Sequence, residues 1–583
     1  MANTNDWLTH AERTQFQETS RYREVIDYCK RLQQASPWIR DSSFGKSPEG
    51  RDLPLLTVSS HGRFDANTAH KAGDVVVLII NGIHPGEIAG KEASFMLVRD
   101  IAITKQKASL LDHVVLLVVP IFSVDGHERM SRYNRINQNG PKEMGWRATS
   151  QNLNLNRDWM KADQPEMQAM LKLYTSWLPD FVIDNHVTDG ADFQYDVLFI
   201  MDDHPAVAPE IRHYMIQEFE PALAAAMAKQ GHITASYFEL KDADDLSQGI
   251  EARPLEPRFS DGYGSLQNRP TVVVETHMLK SFEARIKAHY DLMEDAFDKF
   301  NRDPQALKSA IAKSDRDSAT LGANYDPKAQ FPVWVRLDTG ESETFAFKGV
   351  EYTREKSNVS SGTKVHYGSK PQTFSIPFFH KIVPDTIVAP PLGYAIPPQW
   401  TFVMERFANH AVQYAKLNHE VTSDFETYRF SDVSFPAAPF EGRFQPRFKT
   451  QLVTESRILI PGTAVVWLNQ RNNRVILGLL EPQAPDSLMA WGFFNAIFEQ
   501  KEYAENYILE KLAADLISRD SKLKQEFENR LKSDPKFAAD PAARLQFFYE
   551  RSPYWDQLKN AYPIVRITRR NQIPQEYCDP TDH

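Results

Sequence analysis

The stretch that decides the fold of the first half of the chain is Val75-Val76-Val77-Leu78-Ile79-Ile80-Asn81-Gly82-Ile83-His84-Pro85-Gly86-Glu87. A continuous run of branched apolar residues is typical of a strand that is buried on both faces of a sheet. The run stops at Asn81-Gly82, and a histidine and a glutamate three residues apart follow it. These two side chains can reach one metal ion, and zinc accepts nitrogen and oxygen ligands. With 17 histidines in 583 residues, about one such pair is expected by chance, so the pair needs support from elsewhere.

Two further apolar runs end in side chains of the same kinds. Phe181-Val182-Ile183-Asp184-Asn185-His186 ends in a histidine, and Thr271-Val272-Val273-Val274-Glu275 ends in a carboxylate. A single histidine or glutamate at a strand end is usually only a solvated cap. In open α/β sheets, however, ligands bind outside the carboxyl ends of the strands. The three runs together therefore predict a zinc site of two histidines and one glutamate, with a spare glutamate to act as a base beside a zinc-bound water.

A fourth segment, Asn152-Leu153-Asn154-Leu155-Asn156-Arg157-Asp158-Trp159, carries an Asn-Arg pair. An amide and a planar guanidinium suit a bidentate hold on a carboxylate. The alternative is a polar loop that simply precedes a helix over 163–177, and the residues alone do not separate the two.

Taken in chain order, His84-x-x-Glu87, Asn156-Arg157, His186 and Glu275 resemble the zinc carboxypeptidase family called M14 or funnelins, in its large bacterial multi-domain type. Two flanking segments extend the likeness. Phe44-Gly45-Lys46-Ser47-Pro48-Glu49-Gly50-Arg51 resembles the Gly-x-Ser-x-Glu-Gly-Arg segment of that family, and Ser123-Val124-Asp125-Gly126 resembles its Asn-Pro-Asp-Gly turn. The resemblance covers about half of the chain, from residue 15 to residue 305.

The resemblance implies a role for each motif residue. His84, Glu87 and His186 would hold one zinc ion per chain, and Glu275 would be the general base. Asn156 and Arg157 would hold the terminal carboxylate of a substrate. An arginine that stabilises the substrate oxyanion is expected within 132–137; Arg135 is favoured because it lies deeper in the loop than Arg132, and Arg129 and Arg132 are assigned to the surface.

Two positions depart from the family pattern. Better-known members carry an arginine between the first two metal ligands, where this chain has Pro85-Gly86. The family's mobile substrate tyrosine is assigned to Tyr263, which lies closer to Glu275 than is usual. Tyr263 has a glycine on each side, and this suits a mobile loop.

Composition sets the frame for these motifs. A chain of 583 residues is too long for one core and should contain roughly two to four domains. The net charge of -10 is spread along the chain with no basic stripe, so a nucleic-acid partner is not expected. No stretch approaches the about 20 apolar residues that a membrane-spanning helix needs, so membrane insertion is not expected.

The beginning of the chain, Met1-Ala2-Asn3-Thr4-Asn5-Asp6-Trp7, has neither a charged nor an apolar signal region. The sequence as written favours the cytoplasm; a periplasmic or secreted protein would require that a leader was removed. The sequence does not indicate an oligomeric state.

The pattern of the chain changes near residue 310. Before it, strand runs alternate with helical segments, which predicts an α/β catalytic domain over 1–310: a mixed twisted sheet flanked by helices. Short alternating stretches and a proline-dense segment from Pro377 to Pro398 predict a β-rich accessory domain over 325–480. Apolar residues at helical spacing after Asp486 predict a helical C-terminal region over 486–583.

Three functions of different classes follow from these observations. The leading one is a zinc metallocarboxypeptidase that removes residues from the free C-terminus of a peptide. The alternative is a related zinc amidohydrolase, or deacylase, that acts on N-acyl amino acids or cell-wall peptides with the same metal site. The third is a binding module that kept the fold without activity, against which the full set of ligands and base argues. The side-chain preference of the substrate pocket is not readable from the loop over 240–270.

Overall fold

The computed structural model describes residues 4–254 and 256–580 of the chain. Its strands, in chain order, are β1 Ile39–Lys46, β2 Asp52–Val58, β3 Val75–Asn81, β4 Val114–Val119, β5 Phe181–Val187, β6 Val197–Ile200, β7 Thr234–Ser236, β8 Glu239–Leu240, β9 Ile250–Glu251, β10 Thr271–Thr276, β11 Phe331–Leu337, β12 Glu343–Lys356, β13 Thr363–Phe379, β14 Ile382–Val388, β15 Gly393–Ile396, β16 Ala415–Leu417, β17 Val421–Ser434, β18 Arg447–Leu459, β19 Ala464–Trp467, β20 Val565–Ile567 and β21 Cys578–Pro580.

The α-helices are α1 His10–Arg13, α2 Tyr22–Ala35, α3 Ala66–Ala72, α4 Ala89–Ala102, α5 Val124–Glu128, α6 Pro165–Trp177, α7 Pro209–His213, α8 Glu220–Lys229, α9 Ser260–Leu266, α10 Phe282–Arg302, α11 Pro304–Thr320, α12 Thr401–Asn409, α13 Asn473–Leu480, α14 Asn506–Arg519, α15 Ser521–Ser533, α16 Pro535–Ala539 and α17 Pro541–Tyr549. A π-helical segment, Tyr214–Phe219, joins α7 to α8. Short 3-10 turns lie at Thr4–Trp7, Ala108–Leu111, Leu155–Arg157, Leu246–Gln248, Asn495–Phe498, Arg570–Gln572 and Gln575–Tyr577.

The first half of the chain is built on an eight-stranded mixed sheet with the order β1-β2-β4-β3-β5-β10-β6-β7. Its centre is parallel: β3 pairs with β4 and β5, and β5 pairs with β10. Because parallel strands point the same way, β3, β5 and β10 bring their carboxyl ends to one edge of the sheet. This is the α/β fold that the strand runs predicted, with helices flanking the sheet.

The two faces of this sheet are buried against different parts of the molecule. Alternate residues of β3 divide between them: Val75, Val77 and Ile79 pack with the helical layer that includes α4 and α10, whereas Val76, Leu78 and Ile80 face the other way. That second core also contains Tyr394, Phe407, Val466, Leu477 and Tyr562. The accessory half therefore shares a hydrophobic core with the catalytic sheet and is not a separately packed appendage.

The region after residue 330 is β-rich, as predicted. Its main element is a seven-stranded sheet with the order β18-β17-β20-β15-β19-β16-β21. The long hairpin of β12 and β13 continues into β9 and β8, which come from the loop that precedes α9, and β11 pairs with β14 alone. The predicted boundary near 310 falls inside α11, whose Leu307 and Ile311 pack in the core of the catalytic domain.

The prediction of a helical region over 486–583 needs correction at both ends. Residues 486–498 form turns, although Trp491 and Phe494 are fully buried as core residues. Helices occupy 506–549, and β20 and β21 then return to the accessory sheet. Within the described residues, none of the helices combines the length and the apolar character that a membrane span requires.

Candidate metal centre and active site

The proposed metal ligands come from the ends of two neighbouring parallel strands. Residue Asn81 at the end of β3 lies beside Asn185 near the end of β5. His84 and Glu87 lie on the turn that follows β3, and His186 is the next residue of β5. The register of the sheet therefore brings side chains about one hundred residues apart in the chain to one point.

The three side chains form a compact buried cluster. The Oε2 atom of Glu87 lies 3.1 Å from Nδ1 of His84 and 2.9 Å from Nδ1 of His186. All three residues are nearly inaccessible, and one ligand atom from each lies within 4.8 Å of the others. Two imidazole nitrogens and a carboxylate oxygen are the donor set of a catalytic zinc site that leaves a position for water. The residues present fit the metal.

The charges in the cluster agree with that use. Burial, which disfavours the imidazolium, lowers the pKa of His84 to about 4, so this ring is neutral and can ligate. Burial opposes ionisation of Glu87, yet His84 and Arg135 hold its pKa well below the usual range. The pKa of His186 is raised despite burial because the carboxylate of Asp184 lies beside the ring. The raised pKa favours the protonated ring of His186, and binding of a metal would displace the proton from the ligating nitrogen.

The ring nitrogens that face away from the cluster lie beside polar side chains. Nε2 of His84 lies 3.2 Å from Oδ1 of Asn154, and Nε2 of His186 lies 3.1 Å from Oδ2 of Asp184. Ser260 in turn donates a hydrogen bond of 2.6 Å to Asp184. Such outer contacts set the orientation of ligating rings and leave Nδ1 directed toward the metal position.

Glu275, the candidate base, lies directly across from His186 in the register of β10 and β5. Its Oε2 atom is buried and has no hydrogen-bond partner in the described part of the chain. Burial raises the pKa of this carboxyl to about 7, with Glu87 adding to the rise and His186 opposing it. A carboxylate with a free oxygen and a pKa near neutrality is suited to take up a proton.

Two arginines reach the outer oxygen of Glu87. Nη2 of Arg135 lies 2.7 Å from Oε1, and Nη1 of Arg147 lies 3.3 Å from the same atom. Arg135 passes directly over Gly86, where a Cβ would come within 2.4 Å of its side chain. The Pro85-Gly86 departure therefore makes room for Arg135. Arg132 lies over Tyr133 and Arg129 over Trp146, away from the cluster.

Arg147 is a candidate that the sequence reasoning missed. Its side chain is 46% exposed, compared with 16% for Arg135, so its guanidinium is the more open of the two to a ligand. The available signal was its position in Gly145-Trp146-Arg147, only a few residues before the Asn154–Arg157 segment.

Asn156 and Arg157 lie on a 3-10 turn in the loop before α6. The Arg157 guanidinium stacks over Phe259 at 4.3 Å and donates to the carbonyl of Asn156, but it enters no ion pair within 4–254 and 256–580. Burial, together with the charges of Arg147, Arg253 and Arg258, lowers its pKa to about 10. The Oδ1 atom of Asn156 is buried without a hydrogen-bond partner among the described residues. Among the described residues, Arg157 thus has no carboxylate partner and Oδ1 of Asn156 has no hydrogen-bond partner.

The assignment of Tyr263 as a mobile substrate tyrosine is wrong. Tyr263 lies in α9 and is fully buried, where it packs against Trp159 and Tyr174. Its hydroxyl lies 3.0 Å from Nδ1 of His410 and accepts a hydrogen bond of 2.7 Å from Gln267. Movement into the site would open the core that the two halves of the molecule share. Gly264 serves close packing instead, since a Cβ there would overlap Thr271.

Tyr237 is the half-buried tyrosine that lies near the base. Its ring packs beside Ile200 and Val273, and its pKa is raised first by burial and then by the charge of Glu275. It follows β7 and precedes Glu275 by a long stretch of chain, so its position could not be read from spacing.

The comparisons with known proteins agree with this geometry. Residues 25–198 match the Peptidase_M14 family, described as zinc carboxypeptidase. The chain is 21% identical to carboxypeptidase 2 of Trichophyton rubrum over 484 residues, which cover 80% of this chain and 82% of that protein. For carboxypeptidase 2 of Trichophyton tonsurans the identity is 22%, over 80% of this chain and 82% of that protein.

A solved metallo-carboxypeptidase from Burkholderia cenocepacia is 17% identical, covers 48% of this chain and 69% of its own, and superposes with a TM-score of 0.36. The match of residues 25–198 to this family and the relatives named carboxypeptidase show that the protein is a zinc metallopeptidase. The curated relatives named here are fungal, so the expected likeness to a large bacterial type is not supported.

Proposed function

We propose that the protein is an exopeptidase that removes the C-terminal residue of a peptide, and that recognition of the free carboxylate by Asn156 and Arg157 makes it one. The observation that carries this proposal is the partially buried Arg157 guanidinium, which feels the charges of three other arginines, opposed by that of Glu441, and forms no ion pair in the described residues. Such a cation is stabilised by an anion that arrives from outside. Relatives named carboxypeptidase 2 that cover 80% of the chain support the same function.

The metal would be held by His84, Glu87 and His186. When bound, zinc polarises a carbonyl and lowers the pKa of a bound water to about 7. Glu275 would take the proton from that water and later pass it to the nitrogen of the leaving amino acid. Its free Oε2 atom and its raised pKa support this role.

The charge that develops on the substrate carbonyl oxygen would be stabilised by the arginines beside Glu87. Arg135 is the candidate expected from the sequence, and we add Arg147 because it contacts the same oxygen of Glu87 and its guanidinium is more exposed. Preorganised donors aimed at a developing oxyanion are among the largest contributions to hydrolysis.

The proposal is tested with three matched substrates: a peptide with a free C-terminus, the same peptide amidated, and an N-acyl amino acid that ends in the same residue. We expect release of the C-terminal amino acid from the free peptide only, because the amide cannot supply two carboxylate oxygens to Arg157. Equal cleavage of the amidated peptide would refute the exopeptidase proposal. Faster cleavage of the N-acyl amino acid than of the peptide would instead support a deacylase that uses the same carboxylate clamp.

A further inference from the structure

The hairpin of β17 and β18 extends from the accessory sheet to the loop that carries the carboxylate clamp. Residues 435–446 join the two strands, and the tip of this loop is a two-residue turn at Glu441 and Gly442. Oε2 of Glu441 accepts a hydrogen bond of 2.8 Å from the backbone N–H of Asn154. Glu441, from the second half of the chain, thus holds the backbone of Asn154, and Asn154 contacts the proposed metal ligand His84.

The turn presents this carboxylate in a defined direction. Phe440 and Arg443 exchange backbone hydrogen bonds of 2.9 and 3.0 Å, and the residues between them have φ of +48° and +77°. Two consecutive left-handed residues form a type I′ turn, which favours Asn-Gly or Asp-Gly. Glutamate at the first position costs conformational free energy, and its longer side chain is what reaches Asn154.

The hairpin tip is also fixed against the catalytic domain. Arg443 makes two hydrogen bonds to Asp163, of 2.6 and 2.7 Å, shortly after the clamp loop. On the other side, the ring of Phe440 stacks on the buried Trp491 with a centroid distance of 6.0 Å. Because the tip is held at both sides, the position of Glu441 is set by packing and not by its own side chain alone.

Asn154 connects this contact to both parts of the site. Its Oδ1 atom accepts the N–H of Asn156 at 2.9 Å and lies 3.2 Å from Nε2 of His84. Displacement of the Asn154 backbone would therefore move the first residue of the clamp and would remove the outer partner of one metal ligand.

We propose that Glu441 is a positioning residue through which the accessory region sets the Asn154–Arg157 loop and the His84 ring. The part that concerns substrate rests on the proposed function of the clamp. The structure thereby gives the accessory half a task in the reaction: it completes the active site.

The test uses the full-length protein with three substitutions. Glu441→Ala removes the acceptor, and Glu441→Gln keeps an acceptor oxygen without the charge. Asp432→Asn is the matched control, since Asp432 lies on the same hairpin, is exposed, and forms an ion pair with the exposed Lys449. The measurements are amide hydrogen exchange over 150–157, retention of zinc against a chelator, and kcat and KM for a peptide with a free C-terminus.

For Glu441→Ala we expect exchange at the Asn154 amide and KM each to rise about tenfold or more, which is the magnitude of a hydrogen bond to a charged group. We also expect faster loss of zinc, with kcat within about threefold and an unchanged melting temperature. Glu441→Gln should recover most of the protection, and Asp432→Asn should match the wild type. Wild-type exchange and wild-type KM in Glu441→Ala would overturn the proposal. Amide exchange and zinc retention are measured without substrate. They therefore test the positioning role of Glu441 even if the wild-type protein cleaves no peptide.

Discussion

The metal side and the clamp side of the active site are built in different ways. His186 lies on β5, and His84 and Glu87 lie on the turn that follows the neighbouring strand β3, so the parallel pairing of β3 and β5 brings the three side chains together. The clamp lies on a loop; it is packed against Phe259 and held by Glu441 from the accessory hairpin. The proposed metal ligands are thus brought together by neighbouring strands of the catalytic sheet, whereas the proposed carboxylate clamp is packed by segments from across the chain.

The largest expected effect is on the metal side. His186→Ala should remove zinc and with it the hydrolytic activity, because only two protein ligands would remain. The fold should persist, since His186 lies at a strand end. Metal content and circular dichroism measure the two effects. His366→Ala, a change on the exposed accessory hairpin where His366 pairs with Glu355, is the control. A His186→Ala protein with full zinc content would break the assignment of the metal ligands.

The second largest effect is expected for Glu275, and it separates metal binding from proton transfer at the metal side of the site. Glu275→Gln should keep zinc and substrate binding but lower kcat by about 10²–10⁴-fold, because a nearly isosteric amide cannot accept the proton. Steady-state kinetics and metal analysis on one preparation are sufficient. The exposed Glu239→Gln serves as the control. Near-normal turnover in Glu275→Gln would mean that another carboxylate is the base.

On the clamp side, Arg157→Ala should lower kcat/KM for free peptides by roughly 10²–10³-fold, because the terminal carboxylate would lose its partner in a partly buried site. Arg157→Lys should recover little, since a point charge does not reproduce the bidentate geometry. The weak reaction with amidated peptides should not change. If Arg157→Ala impaired free and amidated substrates equally, Arg157 would be a structural residue.

Substitution of Arg135 and Arg147, which both contact Glu87, distinguishes stabilisation of the oxyanion from support of the metal ligand. We expect Arg147→Ala to lower kcat by about 10²-fold, as loss of an oxyanion donor does, because its exposed guanidinium can reach a substrate. Arg135→Ala should lower kcat less than Arg147→Ala does. It should also weaken zinc retention, because Arg135 offsets the charge of the buried Glu87. The reverse order of the kcat values would return the oxyanion role to Arg135.

The smallest effect is one of pH. A base must be ionised to work, so kcat/KM should rise with pH through the apparent pKa of Glu275, which burial raises to about 7 in the absence of metal. A bound cation favours the carboxylate and moves this limb to lower pH. Below the limb the rate should fall about tenfold for each pH unit. In Glu275→Gln the limb should disappear; its persistence would assign it to another group.

That His84, Glu87, His186 and Glu275 lie together was predictable from the sequence because the signal is local. Three apolar runs could be recognised as buried strands, and their parallel arrangement required the residues that follow them to meet at one edge. Tyr263 could not be placed in this way. Its flanking glycines suggested a mobile loop, whereas in the structure α9 is covered by His410 and its neighbours from a distant segment. Arg147 and Tyr237 were missed because loop residues carry no periodic pattern.

The α/β class, the strand ends that carry the proposed ligands, and the donor atoms available at each of them could be read from the sequence, because side-chain periodicity and residue type are local properties of the chain. Only the tertiary structure decided that the accessory half shares a core with the catalytic sheet, that β20 and β21 return to the accessory sheet, and that Glu441 reaches Asn154. These contacts join residues hundreds of positions apart. They arise from the burial of a whole sheet face, which no local pattern encodes.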